Sequence, residues 1–346
     1  MNRMRVVVLS FVVVVLCCSL SGCVPADTSI GPAATTVRVF SYNVENAFDD
    51  RVDGTEYSDY GPSSNYYADR LWQVKIDHVR EVLEATGRPQ VVGLIEVENE
   101  RMASMVLDAV RDLSYRSMAV TSGSSVTQSM LISSFPIQAV ASLPTTSGVR
   151  DILVASVDVG GTPLYVLVNH WKAKDSGETE SLRIRSAKVG RAEVDRLLTQ
   201  DAMADIVLIG DFNSTEDEHR ATGKMTGIND VLRTTGDRTS MTAQAARSLY
   251  DPWFEMPVSQ RGSAIHSSTW QSLDHIIMSP GLFDKTGLSY NAGSFDAFRA
   301  PFLLSYQRAA DGRPVPNRWQ ESGNQHGSDG YSDHLPVIAD FAVNPG

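Results

Sequence analysis

The sequence has 346 residues, of which 42% are hydrophobic, and its formal net charge at pH 7 is −11. This length and apolar content suffice for a sizeable buried core, which excludes a disordered or fibrous chain. The negative charge excludes a protein that coats nucleic acid through an overall basic surface, although a nuclease needs only a local groove and a cation to neutralise phosphates.

The first 22 residues have the pattern of an export signal. Arg3 and Arg5 make a basic start, and the apolar run Val6–Leu16 follows it. This run is too short to span a bilayer. The next residues, Leu20-Ser21-Gly22-Cys23, resemble the lipobox of bacterial lipoproteins, which are cleaved before the cysteine and acylated on it. We therefore expect residues 1–22 to be a lipoprotein signal peptide and Cys23 to carry lipid, with an ordinary secretory signal as the alternative.

Both interpretations predict an exported protein, and the lipobox predicts a lipoprotein of the cell membrane or outer membrane of a bacterium. Residues 23–36 are rich in Pro, Ala and Thr and lack hydrophobic periodicity, so we expect a tether after the acylated Cys23. Cys17, Cys18 and Cys23 are the only cysteines. A chain that begins at Cys23 therefore has no free thiol for an internal disulfide, a catalytic thiolate or a zinc site.

Strand-like and helical patterns alternate from residue 37 onward. Two amphipathic helices are predicted, one from Leu71 to a Gly/Pro break near residue 87 and one over Leu182–Leu198, and Asp49–Asn65 is predicted to be a long loop. We find no internal repeat and no shift in composition, so one α/β domain over residues 37–346 is the simplest interpretation. Strands are predicted at Val37–Tyr42, Val91–Ile95, Tyr115–Val120, Ser129–Ser133, Ile152–Val157, Leu164–Val168, Ile206–Ile209, Leu273–Met278 and Pro336–Phe341.

Several of these apolar runs end in polar side chains. Side chains at strand ends are held rigidly while they face solvent, so we expect them to form one shared site. Among them, Glu96 and Asn43 could offer oxygen ligands to a hard cation. Glu98 competes with Glu96, but its position favours a cap for a helix that starts near Asn99. The strand-end residues are Asn43, Glu96, Asn169, His170, Asp211 and Asn213.

Asp211 and Asn213 follow a tight exit at Gly210 and can face the same side. A carboxylate beside an amide suits the binding of a cation or water and donation to a phosphate oxygen, although a plain Asx-rich turn is the alternative. Lys172 and Lys174 come just after His170, where they could contact phosphate or form a solvated loop.

Asp333 and His334 stand immediately before the last predicted strand. Such a pair is usually a surface turn, but Asp274 interrupts another apolar strand. A buried carboxylate is costly unless it is paired, and a histidine is its natural partner.

In order and local context, these motifs resemble those of the deoxyribonuclease-like endonuclease/exonuclease/phosphatase superfamily, from about Val37 to Val343. Two departures are Glu45, two residues past Asn43, and Ile95, where many relatives have Gln. The strings Ser41-Tyr42-Asn43-Val44-Glu45-Asn46-Ala47-Phe48-Asp49, Val168-Asn169-His170-Trp171-Lys172-Ala173-Lys174 and Tyr331-Ser332-Asp333-His334-Leu335-Pro336-Val337 look especially like the bacterial exported nuclease branch.

The resemblance implies a four-layer α/β sandwich, in which two mixed β-sheets are flanked by helices and the active site lies at one end. It implies that Glu96 is the main ligand of Mg²⁺ or Mn²⁺, with Ca²⁺ as a further alternative, and that Asn43 and Asp333 are additional ligands. Asn43 and Lys172 are also candidates to bind the substrate phosphate.

The same resemblance implies roles for the remaining motif residues. Asp211 and Asn213 would orient the attacking water and the scissile phosphate. His334, oriented by Asp274, and His170 would bind the phosphate and move protons. No acid between Tyr115 and Asp151 stands out as the partner of His170.

We favour an exported, membrane-anchored nuclease that acts as a monomer on nucleic acid, with no protein partner implied. Lys172, Lys174, Arg183 and Arg185 could supply a local phosphate track. One alternative is a sphingomyelinase-like phospholipid or an inositol- or sugar-phosphate phosphodiesterase, because one scaffold serves several substrates. Another is a non-catalytic surface-binding lipoprotein.

Overall fold

The computed structural model describes residues 36–174, 179–242 and 247–344. The predicted signal peptide, the lipidation site Cys23 and all but the last residue of the tether lie outside the described residues, so these calls stay predictions. Every helix in the described ranges is too short or too polar to cross a membrane.

Twenty strands and five α-helices form the described part of the chain. The strands are β1 (Thr36–Ala47), β2 (Val91–Val97), β3 (Ser117–Val120), β4 (Gln128–Ser133), β5 (Ile137–Leu143), β6 (Ile152–Val159), β7 (Thr162–His170), β8 (Ile206–Asp211), β9 (Thr234–Thr235), β10 (Leu249–Tyr250), β11 (Ala264–His266), β12 (Thr269–Gln271), β13 (Asp274–Met278), β14 (Leu288–Tyr290), β15 (Asp296–Ala297), β16 (Leu304–Arg308), β17 (Pro314–Pro316), β18 (Glu321–Ser322), β19 (Gln325–His326) and β20 (Val337–Val343). The α-helices are α1 (Asn65–Ala68), α2 (Leu71–Ala85), α3 (Glu100–Ala109), α4 (Thr179–Gln200) and α5 (Glu218–Thr222).

Two seven-stranded mixed sheets dominate the fold. The first has the order β14-β20-β1-β2-β4-β3, with β15 paired to β20, and the second has the order β5-β6-β7-β8-β13-β10-β9. In the first sheet β1 runs parallel to β2 and antiparallel to β20. In the second sheet β7 runs parallel to β8, and β13 lies antiparallel to β8. The candidate site residues on β1, β2, β7 and β8 therefore lie at the same end of the two sheets.

The main core lies between the sheets, where Val39 and Ile95 of the first belong to the same buried cluster as Val168 and Ile209 of the second. Close approach is enforced at Gly93, because a Cβ there would lie 2.6 Å from Ile209 Cδ1. A side chain at this position would push the sheets apart beside the strand ends.

The helices cover the outer faces of the sheets. Residues of α2 and α3 join one buried cluster with the outer face of β1 and β2, and α4 packs on β7 and β8 in another. These outer clusters confirm the four-layer sandwich that the motif resemblance implied.

Each predicted strand overlaps an observed one, and both predicted helices are present. β5 was not predicted, because four successive residues of this edge strand are exposed and it shows no alternating apolar face. The prediction ended the first strand at Tyr42, whereas β1 continues to Ala47 through a register shift, with Glu45 and Asn46 at φ +51° and +59°. This irregular segment carries Asn43 and Asn46, the residues of β1 that contact Glu96 in the site.

Candidate active site

Glu96 occupies an irregular position in β2. The register with β4 shifts between Ile95 and Val97, and Glu96 has φ +70°, a left-handed conformation that costs free energy for a residue with a side chain. Its carboxylate accepts hydrogen bonds from Asn43 Nδ2 and from Asn46 N, both at 3.0 Å. The irregular ends of β1 and β2 thus hold Glu96 in one orientation.

Asn43 connects carboxylates of the two sheets. Its Nδ2 donates to Glu96 Oε1 at 3.0 Å and lies 3.3 Å from Asp211 Oδ2, while its Oδ1 accepts from Glu45 N at 3.0 Å. Its amide therefore orients two acids, and its oxygen is bonded to the backbone. That Asn43 binds metal or phosphate stays a prediction.

His170 ends β7 and faces the same two carboxylates. Its Nε2 lies 3.6 Å from Glu96 Oε1 and 3.8 Å from Asp211 Oδ2. Its Nδ1 is buried and has no hydrogen-bond partner among the described residues, so no carboxylate orients this ring. Burial, reinforced by the positive charges of Arg150 and His334, holds the pKa of His170 well below its usual value. The neutral imidazole is the favoured form.

Asp211 lies at the end of β8 and is 2% exposed. Its Oδ1 accepts from Asn213 N at 2.9 Å, and Asn213 Nδ2 donates to Trp171 O at 3.1 Å. Burial raises the pKa of Asp211 to about 7, with His334 opposing the rise and Asp274 adding to it. The bond from Asn213 N to Asp211 Oδ1 is that of an Asx turn after the strand, so the roles predicted for this pair at the water and the phosphate stay predictions.

His334 and Asp274 form the predicted pair. His334 Nδ1 lies 2.7 Å from Asp274 Oδ2, which also accepts from Ser263 Oγ at 2.6 Å. Burial opposes protonation of His334, but the charges of Asp274 and Asp211 outweigh it and hold its pKa well above the usual value. Its Nε2 lies 3.8 Å from Asp211 Oδ2, the same carboxylate oxygen that His170 approaches.

A cavity of about 370 Å³ is lined by Glu96, His170, Asp211, Asn213, Asp333 and His334, with Lys172 and Arg150 at its side. Asp274 stands behind His334 and does not line it. The structure thus brings the predicted site residues of both sheets together in one place.

The donors around Glu96 fit a hard divalent cation. The Glu96 side chain is 17% exposed, and the half-exposed carboxylate of Asp333 lines the same cavity, so oxygen ligands are available. Asp211, Asp274 and His334 also offer ligand atoms within 4.8 Å of one another. The hydrogen bond between Asp274 and His334 pairs two of these three, so this group suits proton handling, and that Glu96 is the main metal ligand stays a prediction.

Sequence reasoning missed Arg150, which follows a polar loop that carries no motif. Its guanidinium lies 3.3 Å from Tyr57 Oη and 3.3 Å from Thr127 Oγ1. Among the described residues, no carboxylate lies within 4.0 Å of it. A second cavity of about 650 Å³ adjoins the first, and Tyr57, Arg150 and Lys172 line both.

The proposed cation track is only partly available. Lys174 pairs with Glu218 at 2.7 Å. Arg183 is buried and pairs with Glu180 at 2.8 Å. Arg150 and Lys172 are the cations that reach the site cavity on this side.

Glu45, one of the two departures from the motif, is held by hydrogen bonds from neighbouring residues. Its buried carboxylate accepts from Trp319 N and Arg318 Nη2, both at 2.7 Å. The fully buried Lys75 Nζ donates to Val44 O at 2.7 Å, to Glu45 O at 2.5 Å and to Tyr331 O at 3.2 Å. These bonds fasten the segment that carries Asp333 and His334 to β1.

A family model and several solved structures match the chain. A family model described as "Endonuclease/Exonuclease/phosphatase family" matches residues 38–342. No curated protein sequence matches the chain.

Solved structures give the same fold at low identity. D. rerio TDP2 complexed with single strand DNA product is 14% identical, with 89% of this chain and 100% of that chain covered at a TM-score of 0.52. The human Nocturnin catalytic domain is 14% identical, with coverage of 90% and 95% and a TM-score of 0.53. An endonuclease/exonuclease/phosphatase family protein from Bacteroides thetaiotaomicron is 12% identical, with coverage of 90% and 99% and a TM-score of 0.54.

Proposed function

The chain belongs to the endonuclease/exonuclease/phosphatase family, whose name denotes hydrolysis of phosphate esters, and from this premise we propose a metal-dependent phosphodiester hydrolase. More narrowly, we propose an exported nuclease that a lipid on Cys23 holds to a bacterial membrane. One observation carries the catalytic part, namely that Glu96 and Asp211 lie within 3.8 Å of His170 Nε2 in a cavity that His334 also lines.

In this proposal the reaction is attack of water on phosphorus, with displacement of the leaving alkoxide. A divalent cation held by Glu96, with Asp333 nearby, would supply electrostatic stabilisation of the negative charge that builds on the phosphate oxygens. Asp211 and Asn213 hold the water and the phosphate in line. The water proton passes to the carboxylate of Asp211, whose Oδ2 lies 3.8 Å from His170 Nε2, and the leaving oxygen takes its proton from the imidazolium of His334.

His334 has a distinct part in this scheme. Its bond to Asp274 keeps Nδ1 protonated, so Nε2 can present its own proton to the phosphate. A cationic donor beside a phosphate oxygen stabilises the transition state more than the ground state, because charge on that oxygen increases during attack.

The second cavity supports an extended substrate. It continues from the active site past Arg150 and Lys172 and is lined mainly by small polar residues of two loops. A neighbouring phosphate and sugar of a nucleic acid would fit such a groove, and one structural relative holds single strand DNA product. Nucleic acid is therefore the first substrate to test.

The test is hydrolysis of plasmid DNA, single-stranded DNA, RNA, sphingomyelin and inositol phosphates by the purified protein with Mg²⁺ or Mn²⁺. We expect DNA or RNA cleavage that stops with chelator and returns with Mg²⁺. A Glu96→Gln protein controls for contaminating nucleases. Turnover of lipid or sugar phosphates alone would reject the nuclease assignment, and no turnover of any substrate by the folded protein would reject catalysis.

Arg150→Ala is expected to raise KM for nucleic acid about tenfold with a smaller change in kcat, because the guanidinium contacts a phosphate away from the reacting bond. Steady-state kinetics on an oligonucleotide measure both constants. Arg116→Ala is the matched control, since Arg116 is exposed near the opposite end of β4. An unchanged KM in the Arg150 variant would contradict this role.

A further inference from the structure

A second acidic cluster lies outside the catalytic cavity. It consists of Asp53, Glu56 and Glu98, whose carboxylate oxygens come within 4.8 Å of one another. The first two belong to the loop after β1, and Glu98 follows the end of β2. The prediction that Glu98 caps the next helix is wrong, because Asn99 caps α3 by accepting from Met102 N at 3.0 Å.

Glu98 presents an unsatisfied oxygen at this cluster. The residue is 3% exposed, and its Oε2 accepts from Asp49 N at 2.7 Å. Its Oε1 is buried without a hydrogen-bond partner among the described residues, and so is the Tyr67 hydroxyl. Burial raises the pKa of Tyr67, and the negative charges of Glu56 and Glu98 raise it further, so the Tyr67 hydroxyl is close enough to the cluster to be affected by its charge. Buried oxygens without partners are rare and costly, so they indicate a group that completes the site.

None of the described cations pairs with the cluster, although the charge of Arg51 acts on Asp53 at longer range. Within the described ranges, no Lys, Arg or His nitrogen lies within 4.0 Å of the carboxylates of Asp53, Glu56 or Glu98. The nearby Arg101 pairs with Asp50 at 2.6 Å and approaches Asp49 at 3.8 Å instead. Three carboxylates, one of them deeply buried, therefore lie together without an ion-pair partner among the described residues.

The ligand atoms of the cluster indicate which metal ion it would bind. All three side chains offer oxygen, which suits Ca²⁺ and disfavours Zn²⁺, whose structural sites use sulfur and nitrogen. Two of them stand on an irregular loop, which can provide backbone carbonyls and leave places for water. Ca²⁺ takes six to eight oxygen ligands in flexible geometry, whereas Mg²⁺ requires a near-ideal octahedron.

We propose that Asp53, Glu56 and Glu98 form a Ca²⁺ site separate from the catalytic carboxylates. The ion fastens the loop after β1 to the end of β2. Tyr57 follows Glu56 directly and lies 3.3 Å from Arg150 at the active-site cavity, so a bound ion also holds this wall of the substrate groove. The inference does not depend on the identity of the substrate.

The test uses the full-length protein carrying Glu96→Gln, so that Ca²⁺ binding at the catalytic ligand is weakened throughout. After chelator treatment, Ca²⁺ at about fifty times Kd is expected to raise Tm by about 4 °C. Adding Asp53→Asn and Glu56→Gln, two changes on the loop surface, should remove the rise. Asp59→Asn, an exposed acid of the same loop outside the cluster, should retain it.

Calorimetric titration gives a second readout, in which one Ca²⁺ binds to the Glu96→Gln protein and none binds after the two loop changes. A Tm rise that survives Asp53→Asn and Glu56→Gln would overturn the proposal, and so would the absence of any rise. An equal rise with Mg²⁺ would overturn the assignment to Ca²⁺.

Discussion

Replacing His334 by glutamine is expected to lower kcat about 10³-fold, the range for a residue that moves or holds a proton in the transition state. Glutamine keeps an amide near the cavity but cannot carry the positive charge that Asp274 and Asp211 stabilise on the imidazole. KM should change little, because the lost interaction strengthens only as charge builds on the phosphate. Steady-state kinetics with Mg²⁺ measure both constants.

The control for this prediction is His219→Gln. His219 is exposed and pairs with Asp230 at 2.9 Å, so it has a carboxylate partner like His334 but lies outside the cavity. We expect its kcat to stay within twofold of the unmodified protein. A folded His334→Gln protein with more than a tenth of the original kcat would contradict the assigned role.

Replacing Lys75 by methionine is expected to lower the free energy of unfolding by about 3–5 kcal/mol, as when one member of a buried ionic group is removed. Lys75 is 1% exposed, and its ammonium group donates to three backbone carbonyls and lies 4.4 Å from the centre of the Trp319 ring. Methionine fills the space but leaves the three carbonyls without this donor, and it removes one of the two cations near the buried Glu45, which keeps Arg318 at 2.7 Å. Urea unfolding followed by fluorescence measures the loss.

Lys188→Met is the matched control, because Lys188 is an exposed residue on α4. Its effect on the free energy of unfolding should stay within about 0.5 kcal/mol. A Lys75→Met protein that unfolds within 1 kcal/mol of the original would show that the three carbonyls find other donors. The role of Lys75 as the fastening between β1 and the His334 segment would then be rejected.

The site residues that could be predicted from the sequence share one property: each is a polar residue within or at the end of an apolar strand. Asp274 interrupts an apolar strand, and a carboxylate there requires a partner. Glu96 follows an apolar run directly, and Asp211 follows another after Gly210, so both stand at the end of a strand. For these residues, burial and strand periodicity can be read from a few neighbours, so the strand ends that carry the site were predictable, whereas the four-layer sandwich was implied only by the resemblance of the motifs to a known family.

Arg150 and Lys75 lack such local signals. Arg150 follows an ordinary polar loop, and only the folding of the β5–β6 hairpin beside Tyr57 brings it to the cavity. Lys75 lies with Leu71 and Val79 on the buried face of α2, but nothing near it in sequence identifies its partner Tyr331, which is 256 residues away. Interactions at this separation arise from tertiary packing, which no local pattern encodes.

The pairing of β1 with β20 has a consequence for biosynthesis. A ribosome makes Asn43, Glu96, His170 and Asp211 long before it reaches His334, and β20 then has to enter the sheet next to the earliest strand of the described fold. A nascent chain released early lacks the imidazole and the strand that positions it. Until β20 has paired with β1, the proposed hydrolase lacks His334 in its site, and we expect no more activity than the His334→Gln protein retains.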